Sequence, residues 1–112
     1  MEESILKTIK PLLGVDVDYD AFDLEIITGV NSAIMALNQI GVGTEGFRIT
    51  GPDETWDQFL EGRDDLESVK TYIQLRTRMI FDPPTSSAAI EAIKETIKEY
   101  EWRLYEQAQE WE

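Results

Sequence analysis

The chain has 112 residues, a length typical of one domain with one hydrophobic core. It contains no Cys and no His, which excludes disulfides, thiolate nucleophiles, zinc-thiolate sites and catalysis by Ser-His-Asp or Cys-His groups within one chain. Its 23 acidic and 10 basic residues give a formal net charge of −13, which predicts repulsion from phosphate backbones and anionic lipid surfaces.

The apolar content predicts a folded protein. Hydrophobic residues make up 42% of the chain and aromatic residues 10%, which is too rich for a disordered acidic segment. No apolar run approaches the roughly 20 residues of a membrane-spanning helix, and the first four residues, Met-Glu-Glu-Ser, lack the basic-then-apolar order of a signal peptide. We therefore expect a single soluble, intracellular domain over residues 1–112.

The first part of the chain predicts two helices. Apolar residues recur at helical spacing over residues 5–13, and Gly14 follows as a stop signal. Asp20 and Asp23 have the spacing of a capping box with Asp in place of Glu, so the second helix should begin there and end at Gly41. Its broad apolar stripe comprises Phe22, Ile26, Ile27, Val30, Ala33, Ile34, Leu37 and Ile40.

Glycines and a second capping box organise the middle of the chain. Each Gly costs a helix about 1 kcal/mol, so residues 41–51 predict an extended loop, with residues 47–50 as a candidate short strand. Thr55 and Gln58 have capping-box spacing, which predicts a single helical turn through Leu60 that Gly62 would end.

Two long helices should complete the fold. Residues 64–67 repeat the start signal, and Pro83 and Pro84 should stop the helix that follows. We expect one face of this helix to carry Leu66, Val69, Ile73 and Ile80. The last helix should begin near Ser86 or Ser87 and run for about 25 residues, or roughly 38 Å, which is longer than a small bundle needs.

Helical phase separates the apolar and polar faces of this last helix. The apolar stripe comprises Ile90, Ile93, Ile97, Tyr100, Leu104, Ala108 and Trp111. Trp102 and Tyr105 fall outside that stripe. Ion pairs are expected between Glu91 and Lys94, Glu95 and Lys98, and Glu99 and Arg103. The chain as a whole predicts an all-α fold, a small bundle of three main helices plus a short N-terminal helix, with a Gly-rich extended loop.

Two acidic runs raise the question of a metal site. Counted from Asp16, a calcium-binding loop would need Gly at position six and Glu at position twelve, where the chain has Ala21 and Ile27. Carboxylates in the first turn of a helix are stabilised by its dipole, which explains this run better. The second run, residues 53–67, lacks a basic or nucleophilic partner that would complete a reaction. A carboxylate-metal hydrolase that depends on Asp53 or Asp57 is therefore the least favoured of three hypotheses about function.

No phosphate-binding loop is present either, because residues 41–46 lack the Lys-Ser/Thr ending that such a loop requires. We expect no enzymatic activity, no catalytic residue and no cofactor or metal site.

Aromatic residues outside the core stripe predict contact surfaces instead. Trp56 could equally cap the small core. Arg76, at the edge of its helix's apolar stripe, could pair with a carboxylate of the same bundle or across a subunit contact. The candidate interface residues are Phe47, Arg48, Ile49, Trp56, Arg76, Trp102, Tyr105 and Trp111.

Long stretches of the sequence resemble a known family. Residues 69–104 include a Phe-Asp-Pro-Pro-Thr-Ser-Ser junction between two amphipathic helices. They look like the C-terminal half of the head-tail connector proteins of tailed bacteriophages, which are small adaptor or head-completion proteins encoded by phages and prophages. Residues 20–23, 31–43 and 54–60 resemble the same family, and the likeness covers residues 16–108.

The resemblance implies an α-helical virion subunit at the head-tail interface, present in the host cytoplasm during assembly. It implies a ring, expected to be dodecameric, that binds beneath the portal protein, extends the DNA channel without binding DNA specifically and offers a docking surface to a stopper or tail-completion protein. Whether the chain is monomeric before assembly stays open. The family analogy favours the end of the last helix as the portal-facing element and the Gly-rich loop as a subunit-contacting or channel-lining one.

The charge of −13 supports one alternative of a different class. A soluble acidic DNA mimic could inhibit a DNA-binding host protein in a salt-sensitive way and would need no ring.

Overall fold

The computed structural model describes residues 3–61 and 66–111, and these residues form helices and loops without a β-strand. The helices are α1 (Ile5–Leu12), α2 (Asp23–Gln39), α3 (Trp56–Leu60), α4 (Leu66–Phe81) and α5 (Ser87–Trp111). The prediction of an all-α fold is confirmed.

Helix α4 lies between α2 and α5, and α1 packs against both α2 and α4. The apolar stripes of these helices meet in one core, where each fully buried aliphatic or aromatic side chain contributes about 1.5–3 kcal/mol. The largest fully buried side chains are Tyr72, Phe59, Ile5, Leu6, Ile9, Ile26, Ile34, Leu37, Ile49, Ile73, Leu104 and Val30.

A buried lysine pairs with the first residue of α2. Lys10 is buried, and its Nζ lies 2.8 Å from the carboxylate of Asp23 and donates to the carbonyl of Val17 at 3.0 Å. The capping prediction for Asp20 is wrong, because α2 begins at Asp23 and its N-cap residue, Phe22, makes no side-chain capping bond. A buried ammonium group needs a partner, and Asp23 serves that purpose.

Helices α2 and α4 approach closely at Gly29. A Cβ atom at this position would lie 2.8 Å from Cγ2 of Thr77 and 3.3 Å from its Cα. Thr77 is itself fully buried. Only Gly, which has no side chain, lets the backbones of α2 and α4 approach this closely.

The predicted strand at residues 47–50 is wrong. The side chain of Asn31 on α2 takes the place of a strand partner: the Ile49 N–H donates to its Oδ1 at 2.7 Å, and its Nδ2 donates to the Ile49 carbonyl at 2.9 Å. Asn38, two turns further along the same face of α2, donates to the carbonyls of Val42 and Thr44, both at 3.1 Å. The Gly-rich loop contains neither a helix nor a strand, and two asparagines of α2 hydrogen-bond to its backbone.

The capping box at α3 is confirmed in both directions, since Thr55 and Gln58 each accept from the other's backbone N–H. Glu61 caps the helix in the left-handed conformation at φ 51°. The predicted stop at Gly62 and the start signal at Asp64 and Asp65 lie outside the described residues.

The turn between α4 and α5 follows the sequence signals. Helix α4 ends at Phe81, before the two prolines, and the Ser86 hydroxyl accepts from the Ala89 N–H at 3.2 Å at the start of α5. Val69 and Ile73 are buried as predicted, but Ile80 is 53% exposed, because the last turn of α4 borders an open groove. The side chain of Leu66, predicted for the same face, lies outside the described set.

Helix α5 is packed along most of its length. Ile97, Leu104 and Ala108 are buried, and Ala108 lies next to the backbone of Gly41 at the end of α2. We expected this helix to be longer than the bundle needs. That expectation is wrong for the helix up to Ala108, because it still packs against the core there. Its three predicted ion pairs are all formed. Within the described residues, no helix has both the length and the apolar character needed to cross a membrane.

Candidate interaction surface

A groove of about 340 Å³ opens between the C-terminal half of α4 and the N-terminal half of α5. Its floor is apolar and its walls are charged. The residues that line it are Arg76, Met79, Ile80, Lys94, Ile97, Lys98 and Glu101.

Arg76, Tyr72 and Glu101 form a polar network at the edge of this groove. The Tyr72 hydroxyl donates to Glu101 Oε2 at 2.6 Å, and Arg76 Nη1 donates to the same oxygen at 3.2 Å and to the Tyr72 hydroxyl at 3.3 Å. Burial raises the pKa of Tyr72, and its hydrogen bond to Glu101 raises it further, while the charge of Arg76 opposes both. The phenol therefore stays protonated, and the network ties α4 to α5.

Arg76 therefore pairs with Glu101 of the same chain. This is the first of the two alternatives that its helical phase left open, a pair with a carboxylate of the same bundle. An additional contact from Arg76 to another subunit stays a prediction.

Two lysines form the outer wall of the groove. Lys94 and Lys98 lie 4.0 Å and 3.9 Å from Glu91 and Glu95, and all four side chains are exposed. Ion pairs of this length on a wet surface contribute at most a few tenths of a kcal/mol. Both ammonium groups can therefore exchange these partners for an incoming carboxylate.

The α5 wall of the groove continues into exposed aromatic residues. Trp102 lies four residues after Lys98 and Tyr105 four residues after Glu101, which puts each pair on neighbouring turns of one face. Trp102 is 66% exposed, and Tyr105 is also exposed. The helical phase of these residues predicted that they lie outside the core, and the structure agrees.

A second surface lies where α4 meets α2. The rings of Tyr19 and Phe22 are 5.5 Å apart, and those of Phe22 and Phe81 are 5.3 Å apart, both edge to face. We call these three residues the aromatic patch. Tyr19 is 51% and Phe22 39% exposed. Sequence reasoning missed this patch because it assigned Phe22 to the core stripe of α2; the Asp-Tyr-Asp run just before it was the available signal.

The candidate interface residues in and beside the Gly-rich loop differ in how deeply they are buried. Trp56 is 3% and Ile49 1% exposed, and the Trp56 indole N–H donates to the Thr8 hydroxyl at 3.1 Å. Both residues belong to the core, which favours the capping alternative for Trp56. Phe47 is half-buried against the ring of Phe59, whereas Arg48 is exposed.

The structure therefore places Arg76 on the α4 wall of the groove and Trp102 and Tyr105 just beyond its α5 wall, and it leaves Arg48 on a separate loop. The side chain of Trp111 lies outside the described set, and the interface role of all these residues stays a prediction. In the part of the chain that the structure describes, no three acidic side chains are grouped so that they could hold a metal ion.

The comparison with protein families identifies the class. The model of the phage connector protein family matches residues 5–110, nearly the whole chain. The chain belongs to this family, the head-tail connector proteins of phages, and the resemblance seen in the sequence is confirmed. It is a structural phage protein, a component of the virion that associates with head and portal components. No curated protein and no solved structure matches it.

Proposed function

We propose that this chain is a non-enzymatic subunit, one domain over residues 1–112, that forms a ring beneath the portal protein, dodecameric in the virion. The ring joins the DNA-filled head to the tail and extends the DNA channel. The observation that carries this proposal is the family match over residues 5–110. The subunit would assemble in the host cytoplasm and then present its tail-facing side to a stopper or tail-completion protein.

Two exposed surfaces support a ring. A ring built from head-to-tail contacts needs two different surfaces on each subunit, and this chain has the groove on one side of α4 and the aromatic patch on the other. Aromatic side chains that are exposed in a monomer are typical anchors of protein contacts. Trp102 and Tyr105, toward the end of α5, would face the portal.

Charge supports a channel that DNA passes without adhering. The chain carries a formal charge of −13, so a ring of many copies would present acidic walls that repel the duplex. Basic residues along the channel would contradict this part of the proposal and leave the connector role intact.

The test combines reconstitution with phage assembly. We expect the purified chain, mixed with its portal protein, to co-sediment and to form rings that negative-stain electron microscopy and native mass spectrometry can count. Particles that lack the chain should lose DNA and fail to join tails. If no complex forms and such particles keep their DNA and join tails, the proposal is wrong; inhibition of a DNA-binding enzyme by the isolated chain would then favour the DNA-mimic alternative.

A further inference from the structure

We infer that the groove between α4 and α5 receives the aromatic patch of the neighbouring copy, and that this contact closes the ring. The inference rests on the proposed function and specifies its subunit contact. The occupant is a second copy of this chain, with Tyr19 and Phe22 as the inserted side chains.

The two surfaces lie at nearly the same level along α4, one on its side toward α2 and the other on its side toward α5. Phe81 contacts Phe22, the N-cap residue of α2, whereas its neighbour Ile80 lines the groove beside α5. Consecutive residues of a helix are turned by about 100° and rise by about 1.5 Å. One subunit can therefore present the two surfaces to two different neighbours, as a head-to-tail ring requires.

The charges of the two surfaces are complementary. Asp18 and Asp20 flank Tyr19, Asp82 follows Phe81, and all three carboxylates are exposed. Residues 11–22 contain no Lys or Arg. Across the contact, the exposed lysines of the groove, Lys94 and Lys98, would face these carboxylates.

This complementarity matters because of the net charge. Copies that each carry −13 repel one another in solution, so a stable contact has to bring cations against carboxylates. Three of the chain's 10 basic residues line the groove. A like-charged pairing of two acidic surfaces would cost binding free energy instead.

Shape and polarity also fit. The volume of about 340 Å³ is near the lower end of the range of roughly 300–1,000 Å³ for pockets that hold small ligands, which suits one or two aromatic side chains. Met79, Ile80 and Ile97 supply an apolar floor, and a lysine beside an aromatic face adds a cation–π attraction.

Charge exchange tests the contact. We expect Lys98→Glu and Asp20→Lys each to weaken ring formation on the portal by at least about tenfold, and the double variant to recover most of that loss, because the pair is restored with its signs exchanged. Lys7→Glu, the same charge change on the exposed face of α1, is the matched control and should leave ring formation unchanged. Circular dichroism verifies that each variant is folded, and native mass spectrometry counts the rings.

Cross-linking gives an independent readout. The chain has no Cys, so a maleimide cross-linker can join copies only through introduced residues. The double variant Asp20→Cys with Lys98→Cys should give a ladder of linked copies up to the full ring. The control, Asp53→Cys with Lys98→Cys, should give none.

The outcomes separate this inference from the proposed function. If rings form on the portal but Lys98→Glu and Asp20→Lys leave them intact and no ladder appears, the groove contact is wrong and the connector role stands. Cross-linking from position 98 to the portal, or to any other protein, likewise overturns it. If the unmodified chain forms no ring with its portal, the proposed function fails and this inference fails with it.

Discussion

At the scale of single residues, Gly29 controls how closely α2 and α4 pack. We expect Gly29→Ala to destabilise the chain by roughly 1 kcal/mol, because an overpacking cost of about 1–3 kcal/mol exceeds the gain of about 1 kcal/mol in helix propensity. The added Cβ would lie 2.8 Å from Thr77 Cγ2. Chemical denaturation measures the free energy of unfolding.

Two further variants test whether the contact with Thr77 causes this loss of stability. Gly51→Ala is the control, because nothing lies within 4 Å of a Cβ atom there, and it should be close to neutral. Thr77→Ala combined with Gly29→Ala should cost less than the sum of the two single changes, since the clashing methyl group is gone. Strictly additive effects would contradict a direct contact.

Glu54 predicts a pH dependence. It accepts from the Thr50 hydroxyl at 2.8 Å and from the Gly51 N–H at 3.4 Å. Its slight burial raises the pKa of the carboxyl, but the hydrogen bonds outweigh this and hold the pKa below the ordinary 4.5. A lowered folded-state pKa adds stability above the unfolded-state value, and this stability is lost as the pH falls through the folded-state value.

We therefore expect the difference in unfolding free energy between the wild type and Glu54→Gln to be largest above pH 4.5 and to shrink below it. The measurement is urea denaturation across an acidic pH series. Glu45→Gln, in the same loop and exposed, corrects for the loss of one negative charge. A difference that does not change with pH would show that the carboxylate form is not what stabilises the loop.

At the scale of elements, one α2 side chain holds the Gly-rich loop. Asn31→Ala should destabilise the chain by about 1–3 kcal/mol, because it leaves the N–H and C=O of buried Ile49 unpaired. Hydrogen exchange should accelerate at the Ile49 amide, whose donor bond to Asn31 is 2.7 Å long. Gln39→Ala, exposed on the same helix, is the control; unchanged protection at Ile49 in Asn31→Ala would contradict the role of this clamp.

Two tryptophans distinguish the core from the proposed contact surface. Trp56 is 3% exposed and Trp102 66% exposed. Trp56→Ala should cost about 3–5 kcal/mol of stability, whereas Trp102→Ala should change it by less than about 0.5 kcal/mol.

The same pair gives a binding readout. Trp102→Ala should weaken co-sedimentation with the portal while the chain remains as stable as the wild type in thermal denaturation. Full binding by a folded Trp102→Ala protein would remove this residue from the contact surface.

At the scale of the whole molecule, the net charge predicts that the chain does not bind DNA. With a formal charge of −13, we expect no retardation of a linear duplex in a mobility assay, even at a low salt concentration of about 50 mM. A basic DNA-binding protein at the same concentration serves as the positive control. Salt-sensitive retardation by this chain would contradict the idea of a DNA-repelling channel wall.

Much of the fold could be predicted because its signals are local. Gly14, the box of Thr55 and Gln58, and the two prolines each mark a helix boundary within a few residues, and the structure has these boundaries. Less of the interaction surface could be predicted. Helical phase placed Trp102 and Tyr105 outside the core, but it could not say that they continue a groove, because the opposite wall comes from α4.

The sequence by itself determined the all-α class, most helix ends, the family and the acidic character, because these depend on neighbours along the chain and on composition. Only the tertiary structure decided which of Asp20 and Asp23 would serve Lys10, that Asn31 would replace a strand partner, and that Trp56 belongs to the core. The same holds for the groove and the aromatic patch. Each depends on which side chains meet across elements distant in sequence, and such contacts follow from packing rather than from periodicity.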